Sequence, residues 1–151
     1  MNLIKAIILS AICFTGLVNA AEDGYGKFIK LDTTQPDETL PITPLACKYF
    51  VQQAVVVTTM YLDGANEPDR VKWLAGHVLP AIGNDDHYAG NALAVRFNHN
   101  IVKILAEPEV KKDIGYGYTY PQSVQRQMPK MCANMVGTTT THFRRVFEKK
   151  S

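Results

Sequence analysis

Two cysteines, Cys47 and Cys132, constrain the fold of this chain more than any other feature. The third cysteine, Cys13, lies in an apolar N-terminal segment that we predict to be removed, so an odd number of thiols becomes a pair. In an oxidising compartment, two thiols in a domain of about 130 residues most often form one disulfide. A bond between Cys47 and Cys132 closes a loop of 86 residues. We predict this disulfide, and the alternative is two unpaired buried thiols.

The N-terminal segment has the layout of a secretory signal peptide. Lys5 is followed by thirteen mostly apolar residues, 6–18, and the small residue Ala20 precedes the expected cleavage point. This apolar run is shorter than the roughly 20 residues that a membrane-spanning helix needs. We therefore predict a signal peptide over residues 1–20 and an exported protein, periplasmic or extracellular, which meets the membrane only through that peptide before cleavage.

The rest of the chain divides into an extended arm and a helical domain. Residues 21–43 contain glycine and proline breaks and no sustained period, which predicts an extended arm with a short strand over Lys27–Leu31. Residues 44–151 contain apolar residues at helical spacing between capping residues and breakers. The run 55–59 is β-branched and is compatible with a strand, but the caps on either side of it favour a buried helix.

Four helices and one short helical turn are predicted in this domain. A helix begins after the cap Thr43 and ends near Gly64, and a turn covers Glu107–Ile114. The other three helices start near Asn66, at Asp85 or Asp86, and at Pro121. The fold class that follows is all-α: a small single-domain bundle of four to five helices with an extended N-terminal arm and one disulfide.

Charge is unevenly distributed along the chain. Without Lys5 there are 15 basic against 14 acidic residues, but residues 21–94 hold five basic and ten acidic side chains, and residues 95–151 hold ten basic and four acidic. So small an excess of positive charge argues against a dedicated nucleic-acid binder. Either the two halves pair within the fold, or the basic tail 142–150 docks on an acidic partner or an anionic membrane.

Catalytic and metal-binding motifs are missing from the sequence. It contains no zinc-protease, nucleophile-elbow, phosphate-loop or haem-attachment pattern, and no two of its histidines are three or four residues apart. The segment Asn84–His87 groups two carboxylates with an imidazole, but helix capping explains its aspartates better than a metal does. We predict no catalytic residue, no metal site and no cofactor.

Tyrosines in a glycine-rich segment are the clearest recognition feature. Tyr116, Tyr118 and Tyr120 provide rigid rings with polar tips, which are favoured at protein interfaces, although they can also fold back over the end of the bundle. Together with Arg144 and Arg145 of the tail they are the predicted interface residues.

We therefore expect a small exported, non-catalytic helical protein that binds a protein partner, in the manner of an inhibitor, immunity or accessory factor. One alternative is a cell-envelope hydrolase that uses dispersed carboxylates such as Glu67, Glu107 and Glu109. Another is a carrier whose apolar cavity is lined by Met128, Met131 and Met135.

Overall fold

The computed structural model of the chain describes residues 28–32, 34–78 and 84–147. The predicted signal peptide, the start of the arm and the last four residues lie outside these ranges. Within them the chain forms four short strands and six helices. In chain order the elements are β1 (Phe28–Asp32), β2 (Glu38–Pro41), α1 (Pro44–Leu62), α2 (Glu67–Val78), α3 (Asp85–His99), α4 (Ile101–Leu105), α5 (Pro108–Gly115), α6 (Tyr120–Ala133), β3 (Thr139–His142) and β4 (Arg144–Phe147).

The four strands join the beginning of the described chain to its end. β1 pairs with β4, and β2 pairs with β3, both antiparallel, with Leu40 opposite Thr140. The β2–β3 ladder is prolonged by Ile42, whose amide donates to the carbonyl of Thr138 at 2.9 Å and whose carbonyl accepts from Gly137 at 3.0 Å. The strand predicted in the arm is present as β1, whereas β2, β3 and β4 were not expected from the sequence.

Helix α1 is the central element of the fold. The Thr43 hydroxyl caps it by accepting from the Ala46 amide at 3.0 Å, and Pro44 occupies its first turn. The β-branched run remains helical because α1 packs on both α3 and α6. Within that run, Thr58 and Thr59 donate their hydroxyls to the carbonyls four residues earlier, at 2.8 and 3.1 Å, so neither is left without a partner.

Helices α1 and α3 cross closely at Gly90. A Cβ at this position would lie 2.6 Å from the carbonyl oxygen of Ala46 and 2.9 Å from the Phe50 amide nitrogen, both of them backbone atoms. Only glycine leaves room for this approach. The Phe50 and Phe97 rings then meet edge to face at 6.1 Å and form part of the core.

The predicted disulfide is present. Cys47 and Cys132 are bonded, with their Cα atoms 5.6 Å apart, and they join the first turn of α1 to the last turn of α6. Cys132 is fully buried and Cys47 nearly so.

The prediction of a small helical domain with one disulfide is confirmed, with a small sheet added to it. The predicted third helix is divided at Asn100, whose side chain donates back to the Arg96 carbonyl at 2.9 Å. No helix in the described part of the chain is long and apolar enough to cross a membrane.

Candidate functional site

A largely apolar concavity of the described surface lies between α1 and α6, and we name it the α1–α6 groove. It has a volume of about 540 Å³. Its lining residues are Pro44, Cys47, Lys48, Val51, Gln52, Gln125, Pro129, Ala133 and Val136.

The α1–α6 groove is a surface trough and not an enclosed cavity. Most of its lining residues are exposed; Val51 is half-buried, and Cys47 is buried at its base. The disulfide therefore fixes the separation of the two helices where they form this groove. Among the described residues, its walls carry two glutamine amides, one ammonium group and no carboxylate. A largely apolar trough with a few polar groups resembles the surfaces that bind other proteins.

Pro129, which lines this groove, occupies a helix-interior position where proline is disfavoured. It lies inside α6, where it has no amide hydrogen for the carbonyl of Gln125, four residues earlier. Proline in a helix interior costs about 3 kcal/mol relative to alanine. Departures from local preference of this kind tend to occur at functional sites, and the rest of the fold compensates for their cost. A proline inside a predicted helix is the local sequence signal at this groove.

Arg145, a predicted interface residue, has its guanidinium engaged within the fold. Its Nε donates to Glu38 at 2.6 Å, its Nη2 donates to Asp85 at 2.8 Å, and the group lies 4.5 Å from the Tyr88 ring centroid. Burial alone would lower the pKa of Arg145, but the bonds to Glu38 and Asp85 raise it above its ordinary value, so the guanidinium stays charged. These ion pairs connect the basic half of the chain to the acidic half.

Two buried polar rings lie beside this guanidinium. Tyr88 and His142 meet edge to face at 5.1 Å, and both are almost fully inaccessible. Desolvation raises the pKa of Tyr88 and lowers that of His142. The Tyr88 hydroxyl has no hydrogen-bond partner among the described residues. This environment favours the neutral form of His142 over the charged form. The contact between Tyr88 and His142 packs β3 against α3.

The other predicted interface residues lie outside the α1–α6 groove. Tyr116 is 71% exposed, and the Tyr118 ring is stacked under the Arg126 guanidinium at 4.3 Å. Tyr120 is half-buried against the core, and Arg144 is exposed at the start of β4. None of these side chains lines the α1–α6 groove, and their role in an interface stays a prediction.

The acidic segment at the start of α3 has structural partners. Asn84 caps the helix by accepting from the His87 amide at 3.0 Å, and Asp86 accepts from the Thr43 hydroxyl. Asp85 pairs with Arg145, and the His87 ring contacts the carbonyl of His77 at 3.1 Å. Across the described ranges, no three His, Cys, Asp or Glu side chains converge as metal ligands would.

The carboxylates considered for hydrolysis fall into two places. Glu107 and Glu109 line a 420 Å³ pocket between α5 and α6 together with Lys130, whereas Glu67 contacts His99 elsewhere. Glu107 and Glu109 are exposed, and no side-chain hydrogen bond from the described residues orients either carboxylate. The pocket therefore contains no oriented acid–base pair among the described residues.

Of the three methionines considered for a carrier, Met128 and Met131 line the pocket between α5 and α6 that Glu107 and Glu109 also line, and Met135 does not. Met128 is buried in the core, Met131 is 46% exposed, and Met135 packs partly buried against the core. None of them lines the α1–α6 groove. A carrier pocket usually encloses most of its ligand, and the open trough does not.

The fold and groove define a class: a small helical domain with one disulfide, two short antiparallel strand pairs and an apolar surface groove. The chain matches no known protein family, no curated protein and no solved structure.

Proposed function

We propose that this is an exported, non-catalytic protein that binds another protein, as an inhibitor, immunity or accessory factor does, and that the α1–α6 groove is its binding surface. The observation that carries the proposal is an open apolar trough braced by the disulfide. Exposed apolar concavities of this kind mark interaction surfaces on small proteins.

Export is part of the proposal. Structural disulfides persist in oxidising compartments and are rare where thiols are kept reduced. A disulfide across the fold and an N-terminal segment with the layout of a signal peptide both support it.

The function is tested by placing a photo-reactive amino acid in the α1–α6 groove in the native host. Gln52 and Gln125 are exposed and lie on opposite walls, so p-benzoylphenylalanine at either position reaches an occupant. We expect one discrete adduct of the same mass from both positions. The control position is Lys72, exposed on α2 and outside the groove.

A groove-filling variant shows whether the adduct depends on the trough. Ala133→Trp places a large side chain in the α1–α6 groove, and Ala75→Trp makes the same change on the exposed face of α2. We expect Ala133→Trp to abolish the adduct and Ala75→Trp to preserve it. Adducts of equal yield at Lys72, or no adduct from either groove position, would show that the groove is not the binding surface.

A further inference from the structure

The two helices that form the α1–α6 groove carry charge of one sign. α1 and α6 contain Lys48, Arg126 and Lys130, and neither contains an aspartate or glutamate. Arg126 lies 3.5 Å from Asp113, and Lys130 lines the separate pocket with Glu107. Lys48 is thus the one cation of the groove lining, and no carboxylate of the described residues lies within ion-pair distance of it.

The lining residues repeat at helical spacing on both walls. Positions 44, 48 and 52 form one row on α1, and positions 125, 129 and 133 form one row on α6. Rows of side chains four apart are the ridges that pack into the grooves between neighbouring helices. Each row rises about 12 Å over eight residues, which equals a little more than two turns of a third helix.

From these two features we infer that the occupant of the α1–α6 groove is an amphipathic helix of a partner protein with a carboxylate on its flank. This inference rests on the proposed function and names the chemistry of its partner. The apolar face of the helix would lie against Val51, Ala133 and Val136, and its carboxylate would lie opposite Lys48. Helix-in-groove recognition uses anchors at positions i, i+4 and i+7, which match this spacing.

The probe for this inference is a library of random 16-residue peptides displayed on phage. It is panned on the whole chain with its disulfide intact, after depletion on the Ala133→Trp variant. Recovered peptides are expected to have apolar residues three and four apart and an excess of Asp and Glu beside them. The inference would be overturned if the recovered peptides were basic or uncharged. It would also be overturned if no recovered peptide needed the groove for binding.

A charge exchange then tests the role of Lys48. For a recovered peptide, Lys48→Glu should weaken binding about threefold to tenfold, since one exposed charge pair is replaced by repulsion. A peptide whose flanking Glu is changed to Lys should bind the Lys48→Glu variant with the affinity that the original peptide has for wild type. The same changed peptide should bind wild type more weakly. Lys72→Glu is the matched control and should leave both affinities unchanged. Independence from the sign at residue 48 would overturn the assigned carboxylate.

Three further outcomes separate this inference from the proposed function. A dimer that forms with rising concentration and is lost in Ala133→Trp would identify a second copy of the chain as the occupant and overturn the inference. A groove-dependent photo-adduct whose contacting segment is not an acidic helix would overturn the inference alone. Absence of the photo-adduct would overturn the proposed function instead.

Discussion

Arg145 donates its Nε–H to the Oε2 of Glu38 at 2.6 Å, a contact between residues 107 positions apart in the chain. Its Nη2 reaches Asp85 at the start of α3, so one side chain connects β4, β2 and a helix. The Arg145 side chain is 6% exposed, and Glu38 is 23% exposed. The contact therefore holds β2 and β4 against α3.

Removing this guanidinium should lower the free energy of unfolding by about 2 kcal/mol, because a hydrogen bond to a charged group contributes roughly 1.5–3 kcal/mol. The variant is Arg145→Met, measured by urea denaturation. Arg144→Met changes the same residue type at the neighbouring exposed position and should alter stability by less than about 0.5 kcal/mol. Equal losses at the two positions would contradict a specific role for Arg145.

Most helices could be predicted from the sequence because their ends are determined locally. Thr43 and Pro44 start α1 as predicted. Helix α3 starts where it was predicted, but its cap is Asn84 and not Asp85 or Asp86, because the Asn84 side chain accepts from the His87 amide. The cysteine pair likewise followed from the count and the predicted compartment. The division at Asn100 was missed because the apolar spacing continues through it.

The strands β3 and β4 could not be predicted because their partners lie about 100 residues away. Thr139–His142 is rich in threonine, a strand former, but its pairing with β2 is determined only by the tertiary fold. Burial of Arg145 was hidden for the same reason, since Glu38 and Asp85 are distant in sequence. The α1–α6 groove needs both helices in place, so only Pro129 gave a local indication of it.

The disulfide should supply a large part of the stability. The double variant Cys47→Ser, Cys132→Ser frees a loop whose closure is worth about 4 to 5 kcal/mol in the chain-entropy model. We expect a loss of this order in urea denaturation, and reduced wild type should match the variant. A loss below about 1 kcal/mol, or free thiols at both positions in exported protein, would contradict a structural disulfide.

Gly90 should tolerate no side chain. Gly90→Ala places its Cβ 2.6 Å from a backbone oxygen of α1, and overpacking of this kind costs about 1–3 kcal/mol. The matched control is Gly76→Ala on α2, where no atom of the described residues lies within 4 Å of an added Cβ. That change should stabilise the protein by about 0.5–1 kcal/mol in thermal or urea unfolding. A neutral Gly90→Ala would contradict the close helix crossing.

Replacing Pro129 should make the protein more stable and weaken its binding to the partner. Pro129→Ala restores the amide that the Gln125 carbonyl lacks, and we expect a gain of about 2 kcal/mol in the free energy of unfolding. The same variant should weaken the groove-dependent photo-adduct, because it changes the groove wall. A variant that is more stable and binds as well as wild type would show that Pro129 has no role in the groove.

Acid should destabilise the protein through His142. Desolvation by burial lowers the pKa of this imidazole, and the Arg145 guanidinium adds to the shift, while the backbone bond to Phe143 and the carboxylate of Glu38 oppose it. The unfolded chain therefore takes up a proton near the ordinary histidine pKa of about 6.5, where the folded chain does not. Stability is full above that pH and declines as the pH falls toward the folded pKa.

The Nδ1–H of the neutral ring donates to the Phe143 carbonyl at 3.0 Å, and His142→Gln retains a donor without a titrating group. This variant should lose less stability than wild type between about pH 7.5 and pH 5 in urea denaturation. Burial also lowers the pKa of His87, so His87→Gln should reduce the slope as well, and the double variant should reduce it further. If stability declined with pH equally in wild type and His142→Gln, the pKa of His142 would be the same in the folded and the unfolded chain. That result would contradict a lowering of this pKa by burial.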